Sequence, residues 1–219
     1  MLSRDSVPSL SSALVCDAAQ RLWGPERLRA HIPVGLSRLS GRQAAVGTAY
    51  TMRISPAHRR DGSERERWFA ALDSVPANAI IVMQVIGDLG GATIGDVVAH
   101  RLSKRGVTGV VIDGPARDIE DLREYGVSVW AREVTMRGMS PSDANTEVGI
   151  DIVCGNAVVC PNDLVVCDSD GIFIVPADHS GEVLKIAEAF QHSEGQTHRA
   201  IENGATLVDS YPSKSAVEV

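Results

Sequence analysis

Arg117 and Asp118, a cation and an anion side by side, close the apolar run VVIDGPA at 110–116, and twenty residues separate Arg117 from Asp96. A guanidinium offers paired, planar donors to a carboxylate, and an aspartate is a hard oxygen ligand for a divalent cation. The same pair also fits a solvated turn, in which the two residues bridge each other or Asp118 caps a following helix. Asp96 lies in the helical pattern TIGDVVAHRLSKRG (93–106). A helix start leaves backbone amides unpaired, so those of Gly95, Asp96, Val97 and Val98 can hold a small carboxylate, and Gly95 lets it approach closely. Thr93 and Asp96, three residues apart, fit a capping box equally well.

These residues need elements that carry them to one place. AIIVMQVI (79–86) is a continuous apolar run of strand length, as expected for a strand covered on both faces, and GDLGGA (87–92) is a glycine-rich turn. The helix over 93–106 puts Ile94, Val97, Val98 and Leu102 on one face, with Lys104 and Arg105 in its last turn and Gly106 as a stop. Strand VTGVVIDG, turn PARD, helix IEDLREYG (119–126) and strand VSVWA (127–131) follow. This central βαβαβ unit predicts a parallel sheet, with both turns at its carboxyl edge, where open α/β sheets bind ligands. GDLGGA lacks GxGxxG, which excludes a dinucleotide fingerprint.

Upstream, SLSSALVCDAAQRL (9–22) reads as a helix with Leu14, Ala18 and Leu22 on one face, and Asp17 reads as a surface or capping group. Residues 46–54 read as a strand, 55–68 as a charged connection and FAALDSV as a short helix. Downstream, 149–176 reads as short antiparallel strands, with DSDG (168–171) as a hairpin turn, and one or two helices end near Gly204. The expected organisation is one domain over 1–219 with a helical extension from about 177.

Composition narrows the partners. The net charge of -7 with scattered basic residues argues against nucleic acid. No apolar stretch approaches the ~18 residues of a membrane span, so no membrane partner is expected. The four cysteines lack CxxC pairing, the six histidines lack metal-site spacing and no apolar leader precedes them, which predicts buried, reduced thiols, histidines at the surface or on helix faces, and a cytoplasmic protein.

The spacing Asp96, twenty residues, Arg117, Asp118 resembles the D-x20-R-D signature of the RraA-like family, which contains class II 4-hydroxy-4-methyl-2-oxoglutarate/4-carboxy-4-hydroxy-2-oxoadipate aldolases that also decarboxylate oxaloacetate. RGVTGVVIDGPARDIEDLREYGVSVWAR (105–132), CPNDLVVCDSDGIFIVP (160–176) and SSALVCDA (11–18) are similar to its central block, its downstream β region and its N-terminal helix. The chain departs from the aldolase motif at Ala92, where a glycine stands four residues before the first aspartate.

The resemblance implies an α/β fold, a three-layer β/β/α swivelling domain assembled as a trimer or dimer of trimers with its site between subunits. It implies Asp118 as the carboxylate for Mg²⁺ or Mn²⁺, Arg117 as substrate-binding cation, Gly95 to Val98 as a pyruvate carboxylate cradle, and Asp96 in proton transfer. Glu194 is a candidate contributed across the interface. The implied activity is metal-dependent cleavage of a C–C bond of a small 2-oxo acid through a pyruvate enolate. The family's namesakes instead bind an RNA-degrading endonuclease and lack the aspartate after the arginine, so Asp118 favours the enzyme.

Overall fold

The computed structural model describes residues 10–41, 44–57 and 62–212. The chain enters through helices α1 (Ser12–Trp23) and α2 (Pro25–Leu28) and strands β1 (Ser37–Ser40) and β2 (Ala45–Pro56). Helix α3 (Glu64–Asp73) leads to β3 (Ala79–Val85), α4 (Asp96–Lys104), β4 (Gly109–Ala116), α5 (Ile119–Glu124) and β5 (Ser128–Val134). Strands β6 (Ala144–Val148), β7 (Ile152–Cys154), β8 (Ala157–Val159), β9 (Leu164–Cys167) and β10 (Ile172–Val175) follow, then α6 (Ser180–Glu202) and α7 (Leu207–Ser210).

The main sheet runs β1-β5-β4-β3-β2-β9-β10, with β6 also on β2. Strands β2 to β5 are parallel neighbours, whereas β1, β6, β9 and β10 are antiparallel additions. The predicted βαβαβ unit is therefore β3-α4-β4-α5-β5. Alternation along its strands explains their unbroken apolar character. Ile81, Met83, Val110 and Ile112 face a core beneath α3, α4 and α5, while Ile80, Val82 and Val111 face a second core closed by β7, β9 and β10. The sheet curls so that Val165 and Ile174 of β9 and β10 pack in that second core, and the outer faces of these strands take Leu14, Val183 and Phe190 of α1 and α6. The result is the expected α/β fold with β, β and α layers, its sheet curled into a half-barrel. Each fully buried Leu or Ile contributes about 1.5–3 kcal/mol to holding these layers.

Several local expectations change. Helix α3 starts at Glu64, inside the stretch read as a charged connection, because Trp68, Ala71 and Leu72 form a buried face that the preceding Glu and Arg residues obscure. Strand β2 extends to Pro56, and Val97, expected on the buried face of α4, is 74% exposed, its place taken by Ala99. Cys154 and Cys167 are buried, and burial pushes the Cys154 thiol up to about 12, but Cys16 and Cys160 are only partly buried. His31 is half-buried: its ring packs 4.8 Å from Trp23, and burial lowers its pKa. His58 lies outside the described residues. No helix among the described residues is long and apolar enough to cross a membrane.

The DSDG turn joins β9 to β10 and also anchors α1. Asp168 accepts hydrogen bonds from the Ser12 amide and hydroxyl, both at 2.7 Å, and from the Asp170 amide at 2.9 Å. Burial pushes this carboxyl up, but the Ser12 hydroxyl and the Ser12, Asp170 and Gly171 amides together outweigh burial and hold it below the ordinary value. A depressed carboxyl stabilises the fold above its unfolded pKa, and the contribution disappears as pH falls through the folded value. Asp168→Asn is expected to cost about 2 kcal/mol at pH 7. Denaturant unfolding at several pH values checks this: the gap from wild type should narrow below about pH 4, and a gap that stays constant contradicts the assignment.

Candidate active site

Beyond its last regular pair, β3 continues through the glycine turn and returns as an extended strip, Ala92–Ile94, before α4 begins. The strip lies between the end of β4 and the chain that leaves β5. Ile94 pairs with Ala116 and Ala92 with Gly138, both in parallel sense. The Arg117 amide donates to the Ile94 carbonyl (3.1 Å), the Ala92 amide to that of Arg137 (2.8 Å), and the Met139 amide to that of Ala92 (3.1 Å). Three chain segments far apart in sequence thus end at one edge, as expected for the carboxyl side of a parallel sheet.

Because the strip is extended, Thr93 is not a helix cap. The N-cap of α4 is Gly95, which makes no side-chain cap hydrogen bond, and the Thr93 hydroxyl is buried with no partner. Asp96 is the first helical residue, and its carboxylate has no partner among the described residues. The capping-box alternative for Thr93 and Asp96 is therefore overturned.

Asp118 has φ 58° and ψ 47°, the left-handed region that non-glycine residues rarely occupy. It stands at the N-cap of α5, yet its side chain makes no cap hydrogen bond there. The backbone turns the carboxylate toward α4 instead. Its Oδ2 accepts from the Asp96 amide at 3.2 Å and sits 3.2 Å from Arg117 Nε. Its Oδ1 has no partner among the described residues. Strain of this kind, held by the surrounding structure, is characteristic of functional sites.

Arg117 is gripped through Nε, which leaves Nη1 and Nη2 without acceptors among the described residues. Two glycines make room for it. A Cβ on Gly95 would lie 2.5 Å from Asp118 Oδ2 and 2.9 Å from Arg117 Nε, and one on Gly138 would lie 2.8 Å from Arg117 Nη1. The side chains of Arg117 and Asp118 are 39% and 31% exposed, enough to meet a ligand from solvent.

Arg117, Asp118, Asp96 and Gly95 therefore come together. The cradle is narrower than four amides, because that of Asp96 is directed to Asp118, while those of Val97 and Val98 in the first turn have no intrahelical partner. Glu194 is exposed on α6, in the layer outside β9 and β10, so one chain does not bring it to Arg117. Sequence reading missed Gly138 and its neighbour Arg137. Their only signal is an Arg-Gly pair just past β5.

No group of three or more His, Cys, Asp or Glu side chains able to hold a metal occurs among the described residues. Among the described residues, a cation at this edge would meet the carboxylate of Asp118 and, next to it, that of Asp96. That donor set fits Mg²⁺, a hard ion that keeps several waters and takes one or two carboxylates.

Residues 12–174 match the family model described as Aldolase/RraA, and the chain belongs to the RraA-like family. Among its relatives, a 4-hydroxy-4-methyl-2-oxoglutarate aldolase of Thermus thermophilus is 25% identical over 150 residues, 68% of this chain and 87% of that protein. Protein DlpA of Legionella pneumophila is 24% identical over 174 residues, 80% of this chain, and the matched region spans only 28% of DlpA. The crystal structure of Streptomyces coelicolor RraAS2, described as an unusual member of the RNase ES inhibitor RraA protein family, superposes with a TM-score of 0.72. It is 27% identical, and the match covers 91% of this chain and 97% of that one.

Proposed function

We propose that the protein is a divalent-metal-dependent lyase that cleaves a C–C bond of a 2-oxo acid to release pyruvate, by retro-aldol cleavage of 4-hydroxy-4-methyl-2-oxoglutarate-like substrates, by oxaloacetate decarboxylation, or both. The observation that carries this reading is the division of labour within Asp118. Two donors fix Oδ2, and Oδ1 has no partner among the described residues, which is the arrangement that orients a carboxylate toward a cation. The likeness to the Thermus aldolase supports the same class.

Asp118 would hold Mg²⁺ or Mn²⁺, which would supply Lewis-acid polarisation of the substrate's 2-oxo group. The chain's own residues do the rest. Arg117 presents Nη1 and Nη2 to the carboxylate and carbonyl oxygens, and the amides of Val97 and Val98 receive the substrate carboxylate at the positive end of α4. In the retro-aldol direction the C4 hydroxyl loses its proton, C4 becomes a carbonyl, and the C3–C4 electrons pass into the 2-oxo group to give the enolate of pyruvate. The fixed Arg117 donors stabilise that charge without reorganising. Asp96, its carboxylate unpaired, takes the hydroxyl proton through a water, and C3 is reprotonated to give pyruvate.

The reading includes a homotrimer or dimer of trimers. Val97, Val134 and Met136, apolar and 74%, 55% and 96% exposed around this edge, support a covering neighbour, and Glu194 is the candidate residue such a neighbour supplies. Pyruvate release from a panel of 2-oxo acids, with Mg²⁺ and with EDTA, tests the function. Metal-stimulated release from at least one of them is expected, and none from any would overturn it.

A further inference from the structure

The segment leaving β5 carries a second cation to this edge. Arg137 is held by its backbone on both flanks: its carbonyl accepts from the Ala92 amide at 2.8 Å, its amide reaches Thr135 Oγ1 at 3.4 Å, and Met139 binds back to Ala92. Its guanidinium lies over the glycine turn, where a Cβ on Gly90 would stand 3.5 Å from Nη2. No carboxylate pairs with it among the described residues. Asp88, the acidic residue of that turn, turns its Oδ1 onto the Gly90 amide at 2.7 Å instead. The next residue, Gly138, borders Arg117 Nη1, so the two arginines flank one glycine, whose missing side chain keeps the space by Arg117 open. Arg117 is partly neutralised by Asp118, whereas Arg137 keeps its whole charge.

We infer that Arg137 is a specificity-determining residue that binds the second, distal carboxylate of the substrate, so that the site selects dianionic over monoanionic 2-oxo acids. The inference rests on the lyase reading, in which Arg117 and α4 take the 2-oxo carboxylate end. A cation with no acidic partner among the described residues, fixed by its backbone at the rim of a glycine-lined site, is arranged to meet a charge that arrives with the ligand, and it rejects ligands lacking that charge by leaving the guanidinium unanswered.

Wild type, Arg137→Gln and Arg137→Lys should be titrated calorimetrically, with Mg²⁺ present, against pyruvate and against 2-oxoglutarate as an unreactive dianionic probe. The wild type should hold 2-oxoglutarate more tightly than pyruvate. Arg137→Gln should weaken 2-oxoglutarate on the order of tenfold and pyruvate less than about twofold, and lysine should restore part of the loss. Equal weakening of both ligands, no weakening of either, or a wild type that prefers pyruvate overturns the inference and leaves the lyase reading intact. A wild type that binds neither ligand overturns both.

Discussion

Asp118→Ala is expected to abolish metal-stimulated pyruvate release while the protein stays folded. Asp118 accepts no cap hydrogen bond from α5 and its Oδ1 has no partner among the described residues, so few stabilising contacts disappear with the carboxylate. The losses are the contacts of Oδ2 with the Asp96 amide and with Arg117 Nε, both at the partly exposed edge. Alanine tolerates the left-handed backbone region less well than aspartate, which adds slightly to these losses, and the net cost is about 1–2 kcal/mol. Activity should fall by at least three orders of magnitude, because the carboxylate proposed to take the cation is gone. The assay compares wild type, wild type with EDTA, and the variant with added Mg²⁺ or Mn²⁺, with light scattering on both proteins. Wild type and variant should share one mass, that of a trimer or hexamer. A monomeric wild type removes the subunit-boundary part of the reading. A variant that keeps metal-stimulated turnover removes Asp118 from the metal site, and a wild type without any such turnover makes an RraA-type regulator that binds an RNA-degrading endonuclease the better account.

The central unit was legible because its strands are buried on both faces. A run such as AIIVMQVI has few other places to go, and the residues that follow such strands must emerge at the same edge, which is how Arg117 and Asp118 were found. The start of α4 was misplaced for a related reason. Ala92 and Ile94 are 4% and 0% exposed, and a buried apolar pair spaced by two fits a strand strip as well as the first turn of a helix. Only the pairing with Gly138 and Ala116 decides between them, and that pairing joins segments more than twenty residues apart. The same non-locality hid Arg137, whose place depends on Ala92 rather than on anything near it in sequence.

Polar strands were the other blind spot. Strand β6, ANTEV, lines the outside of β2 with largely part-exposed side chains and carries no apolar alternation. The curl that brings β9 and β10 over β3 and β4 is likewise invisible in local pattern. It is fixed by tertiary links such as the Trp130 Nε1 hydrogen bond to the Asp168 carbonyl at 2.9 Å, which ties β5 to the β9–β10 turn. Asp118 shows the most informative gap. Its type and neighbour were readable, and they allowed both a helix cap and a metal ligand. The left-handed backbone, which swings the carboxylate from α5 toward α4, removes the cap.

Arg117→Lys keeps the charge and removes the fork, and is expected to cost about 2–3 kcal/mol of transition-state stabilisation, roughly a 30- to 150-fold drop in kcat/KM. The reason lies in how the guanidinium is divided. Nε is committed to Asp118 Oδ2 at 3.2 Å, and that contact sets the plane in which Nη1 and Nη2 face the ligand. An ammonium has to choose: paired with Asp118 it cannot also reach two substrate oxygens, and turned to the substrate it leaves Oδ2 with the Asp96 amide alone. Either way the enolate loses a donor at the moment its charge develops, so the loss should fall mainly on kcat, with KM changed less. The carboxylate that orients the cation is disturbed as well, and the apparent affinity for Mn²⁺, followed by its paramagnetic resonance in the absence of substrate, should shift in the lysine variant. A lysine enzyme that turns over and binds Mn²⁺ like the wild type would show that Arg117 is a solvated turn residue and that its contact with Asp118 has no part in the reaction.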